Sequence, residues 1–207
     1  QLPALIEGEV GPVEDDGDLD YYSFEINEPT AILLKIEAKT DMIWPGAVML
    51  GYDTRNANYQ PVLLGSETGQ DSEREMYLPT PGKYSLAVSD VRNLLPDSNA
   101  ADVPTSGSLP YRVHISEVPL PKLESTSLPD TATHTYDKRL HAYEVDTKGS
   151  DALEVTAQGI GMGQNSFHSP AIHLVDPDTD RTLAYTIGQQ VDTDTRKVTL
   201  AAPLAKK

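Results

Sequence analysis

Residues 19–38 read Leu19-Asp20-Tyr21-Tyr22-Ser23-Phe24-Glu25-Ile26, then Asn27-Glu28-Pro29-Thr30, then Ala31-Ile32-Leu33-Leu34-Lys35-Ile36-Glu37-Ala38. Successive side chains of a strand point to opposite faces, so Tyr22, Phe24 and Ile26 share one face and Leu34, Ile36 and Ala38 share another. Asn27 to Thr30 supplies the turn between them. The paired tyrosines fall on opposite faces, one toward a core and one toward solvent.

Working outward, further strand candidates are Leu5 to Val10, Ala47 to Tyr52, Val62 to Gly65, Arg74 to Leu78, Lys83 to Val88 and Tyr111 to Val118. Each run is short and bounded by turn residues. No window combines apolar spacing of three and four with a helix cap, so the chain reads as an all-β sandwich protein with very little helix. Phe24, Ile36, Leu50 and Leu86 are the expected core of the first half, and Tyr143, Val155 and Leu174 that of the second.

The second half repeats the first. At an offset of 119, Tyr22 to Ile26 falls on His141 to Val145, while Leu34, Ile36 and Ala38 fall on Leu153, Val155 and Ala157. With a few residues inserted, Ala47 to Leu50 falls on Ala171 to Leu174, and Met76 to Pro81 on Val198 to Pro203. The common order of four segments is read as an internal duplication. The first unit continues with Pro81-Gly82-Lys83-Tyr84-Ser85-Leu86-Ala87-Val88 and a closing strand, Tyr111 to Ile115. No counterpart of either follows in the second, whose sandwich is therefore expected to be incomplete: the chain is a fragment, or something else supplies the strands.

Composition bounds the class. With 207 residues and no cysteine, the chain can bury a core without covalent staples. Its formal charge of −16 and lack of any basic run exclude a phosphate-backbone partner, so nucleic acid is not expected. No apolar stretch approaches the roughly 18 residues of a membrane span, and no basic-then-apolar leader opens the chain. Residues 1–118 carry 20 acidic and 7 basic side chains, residues 119–207 carry 12 and 9. The asymmetry changes at Val118-Pro119-Leu120-Pro121, whose prolines favour an extended connector. The expected division is a first sandwich at 1–118, a linker at 119–122, and a divergent, incomplete second sandwich at 123–207.

Three segments of the first unit carry a family resemblance: Glu7-Gly8-Glu9-Val10, then Asp18-Leu19-Asp20-Tyr21-Tyr22-Ser23-Phe24, then Pro81-Gly82-Lys83-Tyr84-Ser85-Leu86-Ala87-Val88. They resemble the glycine-led first strand, the Asp-x-Asp-Tyr-x-Phe strand and the late Pro-x-Gly-x-Tyr-x-Leu-x-Val strand of the bacterial pre-peptidase C-terminal domain family. The second unit resembles it more faintly, through Tyr143-Glu144-Val145 and Ala171-Ile172-His173-Leu174. The resemblance implies two tandem jelly-roll-like β-sandwich units of a secreted, periplasmic or cell-surface bacterial protein. Such a unit is usually an appendage to a peptidase or other exported enzyme, and a related module in collagenases binds collagen and calcium.

Glu7, Glu9, Glu14, Asp15, Asp16, Asp18 and Asp20 place seven carboxylates within fourteen residues. Carboxylates converging on a turn repel one another unless a hard cation neutralises them, which makes Asp15, Asp16, Asp18 and Asp20 candidate calcium ligands. The alternative is a solvated acidic loop. Related calcium modules draw further ligands from a linker ahead of the first strand, a stretch the sequence from Gln1 does not include, and the solvated loop is the expectation. Asp176-Pro177-Asp178-Thr179-Asp180 lacks the glycine and glutamate of an EF-hand and reads as a hairpin turn. Gly159-Ile160-Gly161-Met162-Gly163 precedes no helix that could hold an anion and reads as a connector. The five histidines show no ligand spacing.

Asp90 to Leu109 forms a long loop whose Leu94, Leu95, Asp97 and Asn99 are candidate contact residues, the leucines packed back on the sandwich or presented to a partner. No nucleophile motif stands out. The functional expectation is a non-catalytic binding or spacer module, acting by contact with protein or polysaccharide. Two other settings remain open: an accessory region of a secreted peptidase whose catalytic domain lies elsewhere, and a component of an envelope assembly that pairs an edge strand with another chain.

Overall fold

In the computed structural model the chain is described at residues 2–11, 18–40, 43, 45–51, 62–65, 72–78, 81–90, 109–127, 131, 140–147, 152–160, 171–176, 181–187, 189–190 and 195–203. It divides into two compact units, Gln1–Pro119 and Leu120–Lys207. Every element among the described residues is a strand.

The first unit contains β1 (Ala4–Val10), β2 (Asp20–Ile26), β3 (Thr30–Ala38), β4 (Pro45–Gly51), β5 (Val62–Gly65), β6 (Ser72–Leu78), β7 (Gly82–Asp90) and β8 (Leu109–Val118). They form two four-stranded sheets, β1-β8-β3-β6 and β2-β7-β4-β5. All ladders are antiparallel. The period-two pattern becomes the two faces of each sheet. Along β8, Leu109, Tyr111, Val113 and Ile115 are buried while Arg112, His114 and Ser116 are partly open. Phe24, Ile26, Ile32, Leu34, Ile36, Tyr84, Leu86 and Val88 join them in one core, where Phe24 and Tyr84 lie opposite in the ladder with ring centroids 5.9 Å apart. The tyrosine pair divides as expected: Tyr22 packs against this core, and Tyr21 is 64% exposed. Gly82, which opens β7, has φ 143°, a conformation that side-chain-bearing residues rarely adopt. The Leu50 side chain lies outside the described residues.

The second unit contains β9 (Glu124–Ser127), β10 (Tyr143–Asp146), β11 (Ala152–Ile160), β12 (Ala171–Asp176), β13 (Arg181–Ile187), β14 (Gln189–Gln190) and β15 (Thr195–Pro203). Its sheets are β11-β15-β14, β12-β13, and a parallel pair of β9 with β10. Asp176 lies opposite Arg181, so the acidic 177–180 segment joins two paired strands, as a hairpin turn requires. Gly159 and Ile160, expected in a connector, instead end β11 opposite Arg196 and Thr195, because their backbone groups find ladder partners on β15.

Two further expectations change. Tyr143, Val155 and Leu174 are only half-buried, and the buried apolar side chains among the unit's described residues are Leu153, Leu200 and Ala202. The physical reason is coverage: among the described strands, β10 pairs with β9 and β12 with β13, each in a two-stranded sheet. The ladder corresponding to β3 with β6 is also slid along. Leu78 lies opposite Thr30, whereas Leu200, its segment counterpart, lies opposite Val155, the counterpart of Ile36. A slip by an even number of residues keeps the same side chains facing inward.

Removing a fully buried leucine should therefore be far more damaging than removing a half-buried one. Leu34→Ala is expected to destabilise the first unit by about 2–5 kcal/mol, and Leu174→Ala the second by less than half of that. Urea unfolding followed with separate probes for the two units checks both.

Candidate functional site

The acidic entry joins β1 to β2. Asp15 and Asp16 lie outside the described residues, as do Leu94, Leu95, Asp97 and Asn99 of the long loop. Asp18 and Asp20 are described, and the protein engages both. Gly11 donates its backbone N–H to Asp18 Oδ2 at 2.6 Å, which ties the end of β1 to the approach to β2. Ser89, fully buried on β7, donates its hydroxyl to the Asp18 carbonyl at 2.5 Å. Asp20 Oδ2 accepts the Tyr111 hydroxyl at 2.5 Å.

The proton inventory of that cluster follows. A phenol has one proton, and Tyr111 gives its own to Asp20. The contact of 2.6 Å between the Tyr22 and Tyr111 hydroxyls therefore has Tyr22 as donor. Tyr111 is 1% exposed. Burial, then the bonds to Asp20 and Tyr22, push its hydroxyl well above the ordinary phenol range, so it does not ionise near neutrality. Both rings lie over Gly8, which pairs with Tyr111 in the β1–β8 ladder. A Cβ at Gly8 would stand 2.5 Å from Tyr111 Cζ and 2.6 Å from Tyr22 Oη. A glycine inside a strand marks such a close approach, and this was the one readable signal of the cluster.

Among the described residues, no three His, Asp or Glu side chains gather as a cation would require. Asp18 and Asp20 act on different partners, one a backbone amide and the other a phenol.

A second cluster covers the outer face of the β1-β8-β3-β6 sheet. Glu7 lies opposite Arg112, and Arg112 opposite Glu37, so three strands carry alternating charge in one row. Arg112 Nε donates to Glu7 Oε1 at 2.9 Å, and Arg112 Nη1 stands 3.7 Å from Glu37 Oε2. Lys35 and Lys39 each approach Glu37 at 3.0 Å, and His114 Nε2 stands 3.3 Å from its Oε1. Lys39, then Lys35, with His114 adding, lower the Glu37 carboxyl to about 2. Opposite charges directly across a ladder stabilise the pair, modestly where water reaches them. In the second unit, burial holds the His173 imidazole below its ordinary value.

Two measurements follow. The folded-state value of Glu37 lies below its unfolded value, so its contribution is complete above about pH 4.5 and declines as pH falls toward 2. Acid titration of stability should lose part of that decline in Glu37→Gln. Asp20→Asn replaces a charged acceptor of a buried phenol and should cost about 1.5–3 kcal/mol. If Asp20 is a structural acceptor, that loss is the same with and without calcium. A calcium ligand would instead give a loss that grows when calcium is added, and thermal melts in both conditions decide.

No family model matches the chain, and no curated protein matches it. Among solved structures, the chain is similar to the pre-peptidase C-terminal domain of a collagenase from Bacillus anthracis, with 20% identity and a TM-score of 0.38 over 56% of this chain and 90% of that one. It is also similar to the periplasmic inhibitor of g-type lysozyme from Aeromonas hydrophila, with 16% identity and a TM-score of 0.35 over 56% of this chain and 85% of that one. The Salmonella Typhimurium inhibitor of the same type gives 16% identity and a TM-score of 0.31, over 56% and 90%.

Proposed function

We propose that the chain is a non-catalytic contact module of an exported bacterial protein, built as two copies of one sandwich and engaging protein or polysaccharide through its surface. One observation carries the reading. Among the described residues of the acidic entry, the two candidate carboxylates are tied into the fold: Tyr111 donates to Asp20, Tyr22 to Tyr111, and Gly11 to Asp18. A phenol held above its ordinary range in a buried hydrogen bond between two sheets is a structural fastener, not a general acid or base poised near neutrality. Export and bacterial origin rest on the resemblance of Glu7–Val10, Asp18–Phe24 and Pro81–Val88.

Purified chain is expected to give no peptidase, esterase or glycosidase turnover. Turnover that survives repurification and falls in a folded Asp20→Asn or Tyr111→Phe variant overturns the reading.

A further inference from the structure

Among the described residues of the first unit, β1 and β2 are edges of their sheets, and they differ in what they offer an approaching strand. β2 lies inside the chain and pairs with β7. Beyond that ladder, the hydrogen bonds of its residues run through Asp20 and Tyr22 to Tyr111, into the sandwich. On the outer face Tyr21 is 64% exposed, and Ser23 and Glu25 are exposed as well. On the inner face Phe24 and Ile26 are buried, while Tyr22 stays half-open. The backbone groups along such an edge are a template for a further strand.

The residues decide which strand fits. When a strand meets a second copy of itself antiparallel over its full length, its middle residue falls on the two-fold axis. For β1, Ala4–Val10, that residue is Glu7, whose side chain is 66% exposed, so two carboxylates would stand face to face. Like charges directly opposite are destabilising. For β2, Asp20–Ile26, the middle residue is Ser23. Tyr21 then faces Glu25 of the second copy, Tyr22 faces Phe24, and Asp20, which keeps Tyr111 as its donor, faces Ile26. No like charges meet. The ladder with β7 carries the match inward: Ser23 lies opposite Ser85, Glu25 opposite Lys83 and Phe24 opposite Tyr84. The outer face thus gains an unbroken row of four serines, and the stacked Tyr84 and Phe24 rings are continued by Tyr22 of the second copy.

We propose that the edge of β2 joins two copies of this chain, antiparallel about a two-fold axis at Ser23, so that their β2-β7-β4-β5 sheets become one sheet of eight strands. The contact involves the first unit alone. Two opposing effects set its strength. Main-chain pairing and the cover that Tyr22 gains against Phe24 hold the copies together, and the net charge of −16 on each drives them apart. Salt screens that long-range repulsion and so favours the pair.

Sedimentation of the full chain tests the contact. Over about 1–300 µM the mass of one copy should give way to that of two, and at lower concentration in about 0.5 M salt than in about 0.05 M. Ser23→Lys and Ser23→Glu each set like charges on the axis and should weaken association about tenfold or more. The lysine variant does so although it lowers the overall repulsion. Melts of the dilute variants should match the parent, because Ser23 is exposed. An equal mixture of the two variants should restore the two-copy mass, lysine facing glutamate. Leu5→Ser, on the outer face of β1, should leave association unchanged. The proposal is overturned by a one-copy mass throughout, by association that weakens with salt, by Ser23 variants that associate as the parent does, by a mixture no better than either variant alone, or by loss of association in Leu5→Ser.

Discussion

The Tyr111 hydroxyl reaches from one sheet of the first unit to the other, and it has to place its proton without water. Tyr111 belongs to β8, whereas Asp20 and Tyr22 belong to β2 in the facing sheet. An unmatched phenol in that position would lose the hydrogen bonds it had in water, so its acceptor and donor are fixed together with the approach of the sheets. Gly8 follows from the same demand, because the rings occupy the space that any larger residue at that position would fill. Asp18 then holds the connection into β2 by capping the Gly11 amide. Among the described residues of the acidic entry, Asp18 and Asp20 thus serve a hydrogen-bond inventory.

Outside this fastener, the sheets divide their labour by face. The inner faces of β3 and β8 carry Leu34, Ile36, Val113 and Ile115, and the outer faces carry Lys35, Glu37, Arg112 and His114 at the intervening positions. The same alternation that supplies the core thereby sets opposite charges side by side across the ladders. Glu37 gathers cations from its own stretch of chain and from β8, and its lowered pKa measures that company. Among the described residues of the second unit the alternation continues with less coverage: Leu153, Leu200 and Ala202 are buried, while Tyr143, Val155 and Leu174 stop at half-burial.

Much of this was legible in the residues. Short apolar runs bounded by turn residues located the eight described strands of the first unit, and the Asp176 to Asp180 stretch located a hairpin, because both signals are local. The partners of Asp18 and Asp20 were not legible. Tyr111 lies ninety-one residues from Asp20, and a run of carboxylates reads alike whether it meets a cation, water or a phenol. Gly8 hinted at a close approach without naming the rings above it. The half-burial of Tyr143 and Val155 escaped for a related reason: a strand's apolar face shows what it can bury, while the amount buried depends on neighbours that pair from elsewhere. The parallel pairing of β9 with β10 had no local signal at all.

The pairing of β1 with β8 brings Ala4 beside Ile115, and β3 brings Ala31 beside Val118. The first unit therefore begins and ends at neighbouring points of one sheet. During synthesis its opening strand waits for more than a hundred residues before its ladder partner leaves the ribosome, so the sheet closes late and nearly at once. A body whose entry and exit lie side by side can be threaded into a loop of a host protein, or strung along a chain, without disturbing the path on either side. Such modularity comes from the placement of one strand, and it leaves each sheet's outer face free to diverge.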